Sequence, residues 1–211
     1  MKLFFTSTSP FARKVLVAAH ELGLTHRIET MTLRPTPTKT DATLSKVNPL
    51  SKIPALVLDD GTTLYDSPVL CEYLESLREV EPTAGSHVER LTPRSSPSRF
   101  RVLKNQALAD GVLDAAILVF YERSQRPKEL HWEAWLSGQT EKVMQGLDAL
   151  DAEADSFSST PDVGQIAAAC TLGWLEFRDV FGDIRATRPK LTRWYETFAQ
   201  RPSMKATEPK A

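Results

Sequence analysis

The sequence predicts an α/β domain followed by an all-helical domain. Three observations lead there. In residues 1–80, short β-patterned runs alternate with helical stripes. Beyond residue 98 the strand patterns stop, and apolar residues recur only at helical spacing. Between the two, Glu79 to Ser98 holds Pro82, Gly85, Pro93, Pro97 and several serines, the composition of a connection. The expected division is residues 1–80, a linker at 81–98, and a helical domain at 99–211.

Lys2 to Phe5 opens as a short strand. Phe11 to Leu22 follows as a helix, because Phe11, Val15, Ala18, Ala19 and Leu22 share one face, and Gly23 ends it. Arg27 to Leu33 alternates as a strand does. A polar loop, Arg34 to Thr40, comes next. Ala55 to Leu58 is a buried-strand run, Asp59-Asp60-Gly61 has hairpin-turn chemistry, and Thr62 to Tyr65 returns. Ser67-Pro68 opens a helix, serine at the cap and proline in the first turn, with Leu70, Tyr73, Leu74 and Leu77 as its stripe.

In the second half, Phe100, Leu103, Ala107, Val112, Ala115 and Leu118 fit one long helix. Trp132, Trp135, Leu136, Val143, Leu147 and Leu150 fit another. Asp162 and Gln165 form a capping box ahead of Ile166 to Ala169. Pro189 starts a last helix with Leu191, Trp194 and Phe198, and Pro202 stops it. The four tryptophans, Trp132, Trp135, Trp174 and Trp194, are expected to pack helices together.

Bulk composition narrows the function classes. The 211 residues carry 26 basic and 27 acidic side chains, a net charge of -1, which offers no bulk attraction for nucleic acid or an anionic membrane. No apolar run has the length of a membrane span, and the N-terminus lacks the features of a signal peptide. Cys71 and Cys170 form no paired motif and read as small buried hydrophobes, as in a reduced cytoplasmic protein. His20, His26, His87 and His131 have no metal-ligand spacing, so no metal is expected.

Ser9-Pro10-Phe11-Ala12-Arg13 resembles the active-site turn of cytosolic glutathione transferases. Tau-class members carry Ser-Pro-Phe there, omega-class members Cys-Pro-Phe-Ala, and glutaredoxins Cys-Pro-x-Cys. Asn48-Pro49-Leu50-Ser51-Lys52-Ile53-Pro54-Ala55-Leu56 is similar to the family's N-P-x-x-K-[VI]-P-x-L stretch. Leu64 to Leu74 is similar to its [ED]-S-x-x-I-x-x-Y-L stretch. Ile166 to Arg178 resembles the core helix behind the staple motif, and Trp194 to Ser203 the closing W-Y-x-x-x-x-x-R-P-S. Together the motifs cover nearly the whole chain. The resemblance implies a thioredoxin-like N-terminal domain that binds glutathione and a helical bundle behind it. It also implies a homodimer. The staple's usual Ser/Thr-x-x-Asp is replaced here by the chemically equivalent Asp162 and Gln165.

On this resemblance, Ser9 is the catalytic candidate. A cysteine-type thiol titrates near about 8.5, so little of it is ionised at neutral pH. A hydroxyl that donates a hydrogen bond to the sulfur favours the anion, as does a helix N-terminus. An ordinary N-cap accounts for Ser9 too, and Thr6, Ser7 and Thr8 are neighbouring hydroxyls that stay open as alternatives. The missing cysteine at this position argues against thiol–disulfide exchange. In the family the proline matching Pro54 is cis, so that the backbone of Ile53 can pair with the cysteinyl unit of glutathione; a plain trans proline at a strand start is the simpler alternative. Lys52, or with less support Lys39, would meet a glutathione carboxylate. Asp66 and Ser67 would hold the γ-glutamyl ammonium and carboxylate, unless they merely cap a helix. Phe11, Gly111 and Ala115 are the candidates for the electrophile pocket.

The function these residues suggest is attack of the glutathione thiolate on a small hydrophobic electrophile. Glutathione-dependent reduction, isomerisation or ether cleavage is a second reading. A non-catalytic glutathione- or ligand-binding protein on the same fold is a third.

Overall fold

The computed structural model describes residues 1–80 and 90–210. Residues 81–89 of the expected linker lie outside the described residues.

The N-terminal part is a four-stranded mixed sheet with helices on it. The strands are β1 (Lys2–Phe5), β2 (Glu29–Thr32), β3 (Ala55–Val57) and β4 (Thr63–Leu64), in the order β2-β1-β3-β4. β1 runs parallel to β2 and antiparallel to β3, and β3 antiparallel to β4. Between β1 and β2 lies helix α1 (Pro10–Glu21), the crossover a parallel pair requires. The turn from β3 to β4 works as its residues predict: Gly61 has φ 86°, and the Asp60 carboxylate accepts from the Thr62 amide at 2.8 Å. All four residues of β2 are exposed, so this edge strand alternates in sequence without burying either face.

Two further helices complete this half. Helix α2 (Ala42–Val47) is absent from the sequence expectation; Asp41 caps it, accepting from the amides of Thr43 and Leu44. A six-residue helix with one buried side chain, Leu44, has too short a stripe to read, and only its cap marks it. Helix α3 (Ser67–Val80) begins one residue earlier than the cap reading places it. Asp66 precedes the helix and its carbonyl accepts from the Leu70 amide, so Asp66 holds the cap position and Ser67 lies in the first turn.

The rest is helical: α4 (Ser98–Gln125), α5 (Glu133–Glu153), α6 (Val163–Arg178), α7 (Pro189–Phe198) and α8 (Pro202–Ala206). Residues Val163 to Leu175 of α6 are buried all round, as suits the centre of a bundle, and α6 packs on both α4 and α1. Its capping box forms as expected, Gln165 amide to Asp162 at 2.8 Å and Asp162 amide to Gln165 at 3.1 Å. Pro202 starts α8 rather than only stopping α7.

The expected stripe on α4 needs correction. Phe100 is 66% exposed and Leu118 46%, and the buried face is Val102, Asn105, Gln106, Ala109, Val112, Leu113, Ala115, Ala116 and Val119, so only Val112 and Ala115 of the expected stripe are fully buried. The helix has apolar residues on several faces, so periodicity fixed its existence but not its orientation. Trp132 is likewise 66% exposed and stays out of the core, whereas Trp174 is buried edge-on to Phe120 and Trp194 meets Phe157 and Phe198.

Three buried charged residues of α1 make polar links from the sheet half to the helical half. Glu21 at the end of α1 accepts from Arg201 at 2.8 Å twice and from the Ser203 hydroxyl at 2.6 Å. Arg13 donates to the Met204 carbonyl at 3.0 Å. Lys14 donates to both oxygens of Asp110 on α4 at 2.7 and 2.6 Å. Each charged group here needs such a partner, because Arg13, Lys14 and Glu21 are buried.

Candidate glutathione site

The site grows from the turn between β1 and α1. Ser9 is extended at φ -83° and ψ 121°, Pro10 follows at the first helical position, and the Ser9 oxygen accepts from the Ala12 amide at 3.2 Å. This leaves the hydroxyl proton: among the described residues no acceptor takes it. Of the alternatives, Ser7 already donates to the Lys210 carbonyl at 3.0 Å, while Thr6 offers its carbonyl to the Ser9 amide at 3.1 Å. Thr6 and Thr8 are half-buried beside it.

The loop before β3 is folded by its own side chains. Asn48, buried, accepts from the Leu50 amide at 3.0 Å and donates to the Lys52 carbonyl at 2.8 Å. Ser51 sits at φ 50° and its hydroxyl oxygen accepts from the Asp41 amide. The result places Lys52 on the surface, Ile53 half-buried and Pro54 buried, with a cis Ile53–Pro54 peptide. Asp66 is exposed and Ser67 is 1% exposed at the start of α3. First-turn amides and an oriented helix dipole there suit a carboxylate.

Helix α4 brings charges that sequence reasoning missed. Lys14 is 1% exposed, its ammonium lies 5.9 Å from the Phe11 ring centre, and Asp110 neutralises it. Burial lifts the Asp110 carboxyl above its ordinary value, with the Lys14 charge opposing. Asp114 is one turn further along α4. Although Asp114 is exposed, partial desolvation against its neighbours raises its carboxyl above the ordinary value, Lys52 opposes, Asp66 adds, and Lys14 opposes again. Asp114 therefore lies within electrostatic reach of Lys52, Asp66 and Lys14. The i, i+4 spacing of the two aspartates was the available signal.

The three pocket candidates separate. Phe11 is half-buried at the start of α1. Gly111 is exposed, and a Cβ there would meet nothing within 4 Å. Ala115 is 4% exposed and joins the main apolar core, which corrects its assignment. The helical turn puts 114 and 118 towards the cleft and 115 behind them. The apolar concavity lies further along, where Pro37 and Thr38 face Leu118, Tyr121, Trp132 and Trp135 across about 670 Å³.

The cysteines are remote from this chemistry. Burial pushes the Cys71 thiol up to about 12 and the Cys170 thiol to about 11. No group of three or more metal-ligating side chains occurs among the described residues.

A small thioredoxin-like sheet domain followed by a helical bundle is the architecture of the glutathione transferase class. The chain belongs to the glutathione S-transferase family: residues 8–77 match its N-terminal domain and residues 133–197 its C-terminal domain. It is 34% identical over 212 residues to the uncharacterized GST-like protein YibF of Escherichia coli K12, covering 99% of this chain and 98% of that one. A glutathione transferase family member from Pseudomonas fluorescens Pf-5, solved with bound glutathione, superposes with a TM-score of 0.89 at 42% identity, covering 100% of this chain and 99% of that one. The glutathione S-transferase of Methylobacillus flagellatus KT, solved with glutathione bound, gives 0.83 at 35% identity over 99% of both chains.

Proposed function

We propose that this chain is a serine-type glutathione transferase in which Ser9 donates a hydrogen bond to the glutathione thiolate. The observation that carries this reading is the Ser9 hydroxyl: its oxygen is spent on the Ala12 amide and its proton is not spent. Accepting one hydrogen bond polarises the O–H and strengthens the one it gives. The N-terminus of α1 adds partial positive charge at the same place.

Around that contact, the Ile53 backbone would pair with the cysteinyl unit, Ser67 and the first turn of α3 would seat the γ-glutamyl carboxylate, and Asp66 the ammonium. Asp114, within electrostatic reach of Asp66 and Lys52, would add to the ammonium's surroundings. Lys52 would meet a glutathione carboxylate. The reaction is then displacement or addition at an electrophilic carbon. The thiol proton goes to solvent before attack and the sulfur lone pair forms the C–S bond; in displacement the leaving group departs with its electron pair, and in addition the π pair moves onto the acceptor, which takes a proton from solvent. Ser9 stays uncovalent, with no base in hydrogen-bond contact among the described residues.

Retention on immobilised glutathione, followed by turnover of an electrophile panel, tests the reading. Retention without any turnover would make this a glutathione-binding protein instead. Two buried free cysteines suit a reducing compartment such as the cytoplasm. The exposed Phe100 on α4 and Val69 on α3 favour a homodimer that covers them.

A further inference from the structure

We propose that Arg178, the last residue of α6, is an anion-recognition residue: its guanidinium edge takes the carboxylate of an aromatic acid lying against Tyr121. Calling that acid the acceptor of the thiolate rests on the glutathione reading; the preference for an acid does not.

The guanidinium is held by rings and not by a carboxylate. It lies 4.5 Å from the centre of the Phe120 ring, 4.9 Å from that of Phe177 and 5.9 Å from that of Trp174. Its Nε is buried without a hydrogen-bond partner, and Arg178 makes no ion pair among the described residues. The acids that might have served are engaged elsewhere. Glu176, on the same helix, accepts from Arg185 at 2.9 Å, and Glu122, on α4, from Arg126 at 2.8 Å.

Such a cation is incomplete. Burial lowers the Arg178 pKa from its ordinary value, and Tyr121 is the group that opposes the shift. A guanidinium that loses water without gaining a counter-ion is costly, and the faces of three rings return only part of that cost. An anion would return more, through short charge-assisted bonds to a fork the rings already hold in place. Arg178 as a whole is half-buried and Nε is its closed-off nitrogen, so the outer nitrogens stay within reach of a ligand.

The surroundings favour an organic acid over a bare anion. Tyr121 meets Phe120 edge-on at 5.4 Å and also lines the apolar concavity with Leu118 and Trp135. It therefore borders both the guanidinium and an apolar surface. An acid with a flat apolar body uses both, and an inorganic ion uses one. Arg123 stands at the same corner, but it is exposed and its Nη1 is spent on the Val180 carbonyl at 3.1 Å.

Two probes of one shape, 2-naphthoate and 2-naphthamide, differ by a single charge and test the proposal on the full chain. Titration followed by naphthalene emission should show the acid bound at least about tenfold tighter than the amide, the size of one charge-assisted contact. Arg178→Gln should weaken the acid to the level of the amide and spare the amide, whose binding also reports an intact fold. Arg178→Lys keeps the charge without the fork and should keep part of the preference. Arg123→Gln should keep nearly all of it. Equal binding of acid and amide by the wild type, or a preference that survives Arg178→Gln, overturns the proposal. So does an equal loss on Arg123→Gln, which would reduce the effect to a general positive field. Inorganic phosphate that displaces naphthoate at equal concentration would assign the guanidinium to a free anion and overturn it as well. Calorimetry with glutathone's parent tripeptide, glutathione itself, separates the two readings. Naphthoate preference without glutathione binding would leave Arg178 an acid-binding residue and remove the reaction; glutathione binding without the preference would remove only the role of Arg178.

Discussion

Ser9 is at once a helix cap and the proposed thiolate donor, and the two roles use different parts of one hydroxyl. Ser9→Ala should leave glutathione affinity nearly unchanged and raise the pKa of the bound thiol. One hydrogen bond to an anion is worth about 1.5–3 kcal/mol, so conjugation at neutral pH should slow roughly ten- to a hundredfold. Thiolate absorbance against pH, with each protein saturated in glutathione, is the measurement; coincident titrations would leave Ser9 a cap and turn attention to Thr6 and Thr8. The cysteines make the opposite case. With thiols pushed to about 12 and about 11 by burial, neither Cys71 nor Cys170 should react with a thiol reagent until the chain is unfolded in urea. Labelling of the native protein would contradict their burial. Asp114 gives a pH signature. Its folded pKa is raised, so the folded chain holds that proton to higher pH than the unfolded chain does. Its contribution to stability is present below the unfolded value of about 3.9 and is lost as pH rises through the folded one. Asp114→Asn removes that loss. The difference in urea midpoint between mutant and wild type should be flat in acid and grow in the mutant's favour as pH rises above about 4.

At the scale of elements, the seat at α3 and the centre of the bundle are the places where one atom matters. Because Asp66 and not Ser67 holds the cap position, Ser67→Ala should cost little helix stability. Glutathione affinity should still fall by at least about tenfold, if Ser67 makes the proposed charge-assisted bond to the carboxylate. Calorimetry showing unchanged affinity would put the carboxylate elsewhere. In α6, a Cβ at Gly164 would lie 2.7 Å from the Val102 carbonyl of α4, a backbone atom that cannot swing away. Gly164→Ala should therefore destabilise by about 1–3 kcal/mol, read from urea unfolding, despite alanine's better helix propensity. A neutral or stabilised variant would mean that α4 and α6 separate easily.

For the whole molecule, the polar links between the halves should make them unfold as one unit. Glu21→Gln would leave Arg201 and Ser203 without their carboxylate. Arg201 keeps 25% of its surface in water, so the loss should fall near the low end for a broken buried pair, about 3 kcal/mol or less. Near-ultraviolet and far-ultraviolet signals should still change together on unfolding; two separate transitions would show that the halves are not coupled. Light scattering at micromolar concentration should give twice the chain mass, and a monomer would end the homodimer proposal.

Sequence alone determined what local chemistry dictates. Pro10 after Ser9, Gly61 after two aspartates, and Asp162 with Gln165 each specify a turn or a cap within a few residues, and each is where it was expected. The core position of α6 was implied by the family resemblance of Ile166 to Arg178, and its burial from Val163 to Leu175 agrees with it. Tertiary structure decided everything that depends on which face meets which neighbour. The buried side of α4 was open because apolar residues lie all round it; packing against α6 at Gly164 selected Val102 and Asn105 and left Phe100 and Leu118 in water. The same choice turned Ala115 into the core, brought Asp114 towards Lys52 and Asp66, and set Trp132 on a pocket wall. A cap is a bond between near neighbours in sequence, so its residues announce it. A pocket is what remains between distant segments after the core has closed, and no single segment carries its pattern.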